Sequence, residues 1–221
     1  MAPCVRIQKV AQFIVVVLGA GCAKTAGVGW LRLTTTNNSD ANVESGARHE
    51  SGHIVIAATQ GLPLRPEGLM IDPSGWGLAC YHEASDESDS AREKNIRAVL
   101  AAFAVENRFR EKRGYPARDY LDLTFNRDNV VARTLLGKLS SDYGRIEERL
   151  TQELDQLIER HWRAIEALAT ALLAKRWEPL KPLKSGGRWS EENETTAKYL
   201  SGEEVVRILV EHGTPAVCDP G

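Results

Sequence analysis

The chain has 221 residues, long enough for one well-buried domain. Its 43% hydrophobic and 26% charged residues are typical of a globular protein, and its formal net charge is only −2. This balance gives no reason to expect nucleic acid or an anionic membrane surface as a partner. The four cysteines, at positions 4, 22, 80 and 218, include no Cys-x-x-Cys pair. That spacing excludes a zinc knuckle, and we interpret the cysteines as thiols.

An apolar run over residues 10–21 follows Arg6 and Lys9, as in the first part of a signal peptide, but it is too short to span a bilayer as a helix. A Thr/Asn/Ser-rich stretch over 34–40 then predicts a linker. We expect a cytoplasmic protein, with export or membrane association through residues 10–21 as the alternative. The predicted organisation is an N-terminal segment with its linker, a folded domain and a tail, over residues 1–40, 41–213 and 214–221.

The folded domain is predicted to be mostly helical. In chain order, the predicted helices cover residues 43–60, 90–113, 128–139 and 142–174. The last of these has the clearest periodicity, with apolar residues three and four apart from Ile146 to Leu172. A short closing helix is predicted to start at a capping box, Ser201-Gly202-Glu203-Glu204.

One β-hairpin is predicted between the first two helices. The turn signal Asp72-Pro73-Ser74-Gly75 separates the apolar residues 68–71 from residues 76–82. Residues 179–189, rich in proline, glycine and lysine, predict a second linker.

The segment His49-Glu50-Ser51-Gly52-His53 lies within the first predicted helix. Residues four apart project from one face of a helix, so His49 and His53 can present two imidazole nitrogens to one zinc ion. Glu50 is expected to be the general base that takes a proton from a metal-activated water and passes it to the leaving nitrogen. The pattern therefore predicts a zinc-dependent peptidase.

This pattern is specific, because the composition predicts a chance His-Glu-x-x-His only about 0.01 times in such a chain. Gly52 adds to the case. A glycine inside a helix costs about 1 kcal/mol relative to alanine, so it needs a structural reason. We expect another backbone to approach the helix closely at this position.

Three arrangements could supply the third metal ligand. A histidine six residues after the second one is excluded, because Ile56 and Thr59 stand where glycine and histidine are required. A downstream Glu-x-x-x-Asp helix is disfavoured, because no glutamate in the chain has an aspartate four residues later. A carboxylate that opens a later helix remains, and Asp128 fits that description.

Other residues stay open as ligands. Glu106, on a predicted helix rich in small residues, could bind zinc itself or hold a ligand imidazole from behind. Asp119 and Asp122 precede Asp128 closely in the sequence. His82, at the end of the hairpin, could also bind the metal, although a solvated position is the simpler interpretation.

The run from His49 to Ala57 resembles the His-Glu-Ala-Gly-His-Ala segment of the FtsH-type zinc metalloproteases. In that family the third ligand is an aspartate in an Asn-Asp pair that starts a helix, and Asn126-Arg127-Asp128 is similar with one residue inserted. Weaker similarity brings the coverage to about residues 44–212. The resemblance implies a single, mostly α, zincin-like peptidase domain with a small β-hairpin. It also implies zinc as the metal, with the ligands His49, His53 and Asp128, and Glu50 as the catalytic residue.

The chain departs from that family in two respects. No stretch of it could hold the family's ATPase module, and the family's Gly-Gly-Arg is missing before Glu106, so homo-oligomerisation stays open. The strongest nucleotide-binding candidate, residues 13–25, has Lys24 where a dinucleotide motif needs glycine and Ala23 where a P-loop needs glycine. We therefore expect cleavage that does not depend on ATP.

Two functions follow from these observations. The first is a zinc-dependent, ATP-independent endopeptidase for flexible or unfolded polypeptides, which could pair along the edge strand of the hairpin. The alternative is a catalytically silent, zinc-stabilised protein-interaction module. The intact Glu50 argues against the alternative, because a purely structural metal site needs no general base.

Overall fold

The structure is a computed structural model that describes residues 38–114, 127–139, 143–180 and 196–219. In these ranges the chain forms α1 (Asn38–Thr59), β1 (Leu64–Ile71), β2 (Gly77–Tyr81), α2 (Asp89–Lys112), α3 (Arg127–Leu136), α4 (Tyr143–Leu173), β3 (Glu178–Pro179), β4 (Thr196–Leu200) and α5 (Gly202–Glu211). Residues 10–21, most of the predicted 179–189 linker, and both Asp119 and Asp122 lie outside the described residues.

The prediction of a mostly helical chain with a small β element is confirmed. In α4 the predicted apolar stripe faces the core, where these residues are at most 2% exposed: Leu150, Leu154, Ile165, Leu168 and Leu172. α5 starts at the predicted capping box, since Ser201 Oγ accepts from the backbone N–H of Glu204 and the Glu204 carboxylate accepts from that of Ser201.

Two helix ends differ from the prediction. α1 begins at Asn38, so part of the linker predicted over 34–40 is helical. Asn, Ser and Asp are common both in linkers and near helix starts, so composition alone does not separate the two. α3 ends at Leu136, just before Gly137, and glycine has a low propensity for the helical conformation.

The β element is larger than the single hairpin that the sequence predicts. It is an antiparallel sheet with the strand order β2-β1-β4-β3, so β1 is central and β2 lies at one edge. Met70 of β1 pairs with Leu78 of β2 on one side and with Tyr199 of β4 on the other. The prediction missed β4 because this strand is only five residues long and its partner lies far away in the sequence.

α1 is the central element of the fold, and it packs against α2, α4, β1 and β2. Its residues Ile54, Val55, Ile56 and Ala57 are fully buried, as expected of a helix covered on all sides. The polar residues of the motif on α1 therefore lie in the protein interior. None of the described helices combines the length and the apolar character needed to cross a membrane.

The C-terminal residues return to the sheet after α5. The backbone N–H of Leu64 donates to the carbonyl of Val217 at 2.8 Å, and the N–H of Asp219 donates to the carbonyl of Leu64 at 2.8 Å. Cys80 and Cys218 are both thiols, in agreement with the interpretation of the sequence. The other two cysteines lie outside the described residues.

Candidate metal centre

α1 carries three residues of the predicted site into the core. His49, Glu50 and His53 are 8%, 2% and 3% exposed. His49 and His53 lie one helical turn apart, and their rings meet edge to face with centroids 5.1 Å apart. A helix that presents two buried imidazoles on one face is the geometry that the four-residue spacing predicts.

Asp128, in the first turn of α3, completes a group of three. One of its oxygens, Oδ2, lies 3.3 Å from His49 Nε2 and 3.4 Å from His53 Nε2, and its side chain is fully buried. The three ligand atoms all lie within 4.8 Å of one another. These residues therefore form a buried group that could hold a metal ion.

In each histidine, the ring nitrogen that faces away from Asp128, Nδ1, contacts an acceptor oxygen. His53 Nδ1 donates to the backbone carbonyl of Ala98 at 2.8 Å, and His49 Nδ1 lies 3.2 Å from Glu106 Oε2. Because a carbonyl or carboxylate oxygen can only accept, both Nδ1 atoms carry the proton. Both Nε2 atoms then face Asp128 Oδ2, and a metal ion bound there would replace the proton that His49 Nε2 shares with that carboxylate.

The ring of Phe103 supports the same arrangement. It stands edge to face against His49, with ring centroids 5.2 Å apart, and is itself almost completely buried in α2. Packing and hydrogen bonding thus restrict His49 to one orientation.

The charges of the site favour a cation. Burial on its own would lower the pKa of His49, but hydrogen bonds to Asp128 and Glu106 and the charge of Glu50 outweigh it and raise that pKa to about 10. Burial would likewise raise the pKa of Asp128, yet His53 and His49 hold it well below its usual range. The surrounding carboxylates therefore stabilise positive charge at this point, which a proton or a metal ion can supply.

Glu50 lies beside the group and has a different environment. Burial is the largest influence on its carboxyl, and it raises the pKa of Glu50 to about 7 despite the opposing charges of His49 and His53. Two buried polar atoms, Glu50 Oε2 and His53 Nε2, have no hydrogen-bond partner among the described residues. Two imidazole nitrogens, one carboxylate and unsatisfied polar atoms around them fit a bound metal with an open position.

Gly52 allows α2 to approach this part of α1. A β-carbon at position 52 would stand 3.0 Å from Val105 Cγ2 and 3.3 Å from the carbonyl oxygen of Ala101, closer than ordinary contacts. This is the close approach that the glycine in the motif predicts. It brings α2, and with it Phe103 and Glu106, up to the metal group.

The remaining candidates lie elsewhere. Glu106 lies behind His49, at the ring nitrogen that faces away from Asp128, so its position matches the second of the two roles that the sequence left open. His82 pairs with Asp219, with 3.2 Å between Nε2 and Oδ2, and is not part of the buried group. Ser45, which no motif in the sequence singled out, donates a hydrogen bond to Glu106. Its position four residues before His49 was the available signal, because it places Ser45 on the same helix face.

No protein-family model matches the chain, and no curated protein matches it in sequence. The similarity to the FtsH-type peptidases therefore rests on the motif residues alone. Any assignment of function has to come from the chemistry of the site.

Proposed function

We propose that this protein is a zinc-dependent, ATP-independent endopeptidase. The observation that carries the proposal is the convergence of His49, His53 and Asp128 on one buried point, with the Glu50 carboxyl beside it. In the proposed site the first three residues hold zinc and Glu50 is the catalytic residue.

Zinc is the metal that suits this set of donors best. Two imidazoles and one carboxylate are a common ligand set of catalytic zinc sites, in which a fourth position stays open for water or substrate. Magnesium and calcium prefer sites made of oxygen atoms alone, so a site with two nitrogen donors disfavours both.

A bound zinc ion supplies Lewis-acid chemistry, which polarises a peptide carbonyl and makes water acidic near neutral pH. The other steps belong to Glu50, which accepts a proton from the attacking water and delivers it to the leaving nitrogen. A carboxyl whose pKa is raised to about 7 is well matched to both transfers at neutral pH. The roles of His49 and His53 are to bind and orient.

A polypeptide substrate is supported by the position of β2. Among the described strands, β2 lies at the edge of the sheet and contacts α1, the helix that carries the site. An edge strand can pair with an extended backbone, which would carry a peptide bond past Glu50. We propose flexible or unfolded segments as substrates, because a backbone can pair with a strand only where it is extended.

The test combines metal content with cleavage. Purified protein is analysed for zinc, and cleavage of casein and of a quenched peptide is followed with and without a chelator. We expect about one zinc per chain, activity that the chelator removes and zinc restores, and no activity in Glu50→Gln with its zinc retained. Absence of zinc after purification and after incubation with zinc salts would overturn the proposal.

Histidine variants give the matched control for binding. His49→Ala or His53→Ala should abolish zinc binding, whereas His82→Ala, which removes a histidine paired outside the group, should leave it intact. If zinc binds but neither substrate is cleaved, the silent interaction module becomes the better interpretation.

A further inference from the structure

Ser45 forms a chain of contacts that ends at the metal group. It lies on α1 one turn before His49 and is 4% exposed. Its hydroxyl donates to Glu106 Oε1 at 2.9 Å, while the other oxygen of the same carboxylate, Oε2, lies 3.2 Å from His49 Nδ1. One carboxylate on α2 therefore bridges two residues on the same face of α1.

We infer that Ser45 is a positioning residue for the metal centre, acting through Glu106 on His49. The inference rests on the metal site of the proposed function, but it does not require peptidase activity. The physical reason is that a carboxylate is a rigid, planar group, so its two oxygens move together. A donor that holds Oε1 fixes the rotation of that plane and so fixes where Oε2 meets the imidazole.

The hydrogen bond at His49 Nδ1 affects how tightly an ion would bind at Nε2 of the same ring. Oε2 accepts the Nδ1 proton, which keeps Nε2 as the ring nitrogen that faces Asp128 and would bind the ion in place of its proton. Loss of a partner in direct contact with a metal-binding histidine typically costs 10–100-fold in affinity. Because Ser45 acts one step further out, we expect its hydroxyl to contribute about 3- to 10-fold.

The same helix offers a matched control. Ser51 is a second buried serine on α1, but its hydroxyl donates to the backbone carbonyl of Ala47 at 2.7 Å and not to Glu106. Ser51→Ala therefore removes a buried hydroxyl from the same helix without affecting the carboxylate. The pair Ser45→Thr and Ser45→Val gives a second comparison, since the two side chains have nearly the same size and only threonine keeps the hydroxyl.

The experiment measures the zinc dissociation constant of the full chain by competition with a chromophoric chelator. Ser45→Ala and Ser45→Val should weaken binding by about 3- to 10-fold, while Ser45→Thr and Ser51→Ala stay close to wild type. In a Glu106→Ala background, Ser45→Ala should cause no further loss, because the residue through which it acts is gone. Equal affinities of the threonine and valine variants would overturn the inference.

A second measurement does not require bound metal. In the zinc-free protein, the Nδ1 proton of His49 is followed by proton–nitrogen NMR. We expect a downfield, slowly exchanging signal in wild type and Ser51→Ala, and faster exchange in Ser45→Ala and Ser45→Val. An unchanged signal in both Ser45 variants would count against the role of Ser45. Failure of the proposed function would instead appear in the wild type, as absence of zinc or of cleavage.

Discussion

Gly77 of β2 lies directly against the Glu50 side chain of α1. A β-carbon at position 77 would stand 2.9 Å from Glu50 Cδ and 2.7 Å from the carbonyl oxygen of Met70. Neither neighbour can accommodate a methyl group without a shift, because one is the side chain of the proposed base and the other is backbone of the adjacent strand. The absence of a side chain at position 77 thus leaves room for Glu50 in its position beside the metal group.

We expect Gly77→Ala to keep its zinc but to cleave peptides poorly. The overlap should cost about 1–3 kcal/mol of stability. Displacement of Glu50 by a fraction of an ångström should lower kcat by about 10-fold or more. Zinc content and kcat measured on the same sample check this prediction. Gly144→Ala is the control, because nothing lies within 4 Å of a β-carbon there. Unchanged kcat in Gly77→Ala would contradict it.

Asp128→Asn should weaken zinc binding by about 10-fold or more and remove activity, because a neutral amide is a much poorer partner for the ion. Glu106→Gln and Asp122→Asn, prepared in parallel, should keep the metal. Elemental analysis and chelator competition give the result. If Asp128→Asn holds zinc like wild type while Glu106→Gln loses it, the ligand assignment is wrong even though the class of enzyme stands.

The stability that zinc adds should increase with pH. The pKa of His49 is raised from 6.5 to about 10 in the folded, zinc-free chain, so between these values the folded state holds a proton that the unfolded state has released. The free energy of unfolding of the zinc-free protein therefore falls as pH rises through this window. Glu50, whose pKa is raised from 4.5 to about 7, likewise makes the free energy of unfolding fall as pH rises between these values.

Zinc binds the deprotonated nitrogen of His49. The free energy of unfolding of the zinc-loaded protein therefore does not fall through this pH window. We expect the difference in Tm between zinc-loaded and zinc-free protein to widen by roughly 5 °C between about pH 6.5 and 9. Differential scanning calorimetry at controlled free zinc measures it. A difference that stays constant, or narrows, would show that His49 does not exchange a proton for the metal.

Mg-ATP should leave the rate of cleavage unchanged. The expectation rests on Lys24 and Ala23, which occupy positions where the two phosphate-binding motifs need glycine. Initial rates with a quenched peptide, with and without Mg-ATP, test it, and a non-hydrolysable analogue controls for chelation of metal by the nucleotide. A several-fold acceleration would reopen residues 13–25 as a nucleotide site.

The sequence by itself determined the parts of the fold that depend on local physics. The stripe from Leu150 to Leu172 repeats at helical spacing and faces the core as predicted, and the capping box at Ser201 forms. Both signals arise from residues within one or two turns of each other. β4 was not predictable in this way, because its partner β1 lies far away in the sequence.

The residues of the candidate site also fall into two groups, those that local spacing predicts and those that only the tertiary structure identifies. His49, Glu50 and His53 lie on one helix, so the spacing alone was sufficient to predict that two imidazoles share a face beside a carboxylate. Asp128 was only one of several candidates in the sequence. It lies near His49 although 79 positions separate them, because α3 packs against α2, with Leu136 and Ile96 in one buried cluster.

Only the tertiary structure distinguished the two carboxylates. Asp128 meets the Nε2 atoms of both histidines, whereas Glu106 meets the Nδ1 of His49 and is held there by Ser45. Which ring nitrogen of His49 each carboxylate contacts depends on how α2 and α3 pack against α1. That packing is set by many contacts between distant segments, such as the close approach that Gly52 allows, and no short stretch of sequence contains them.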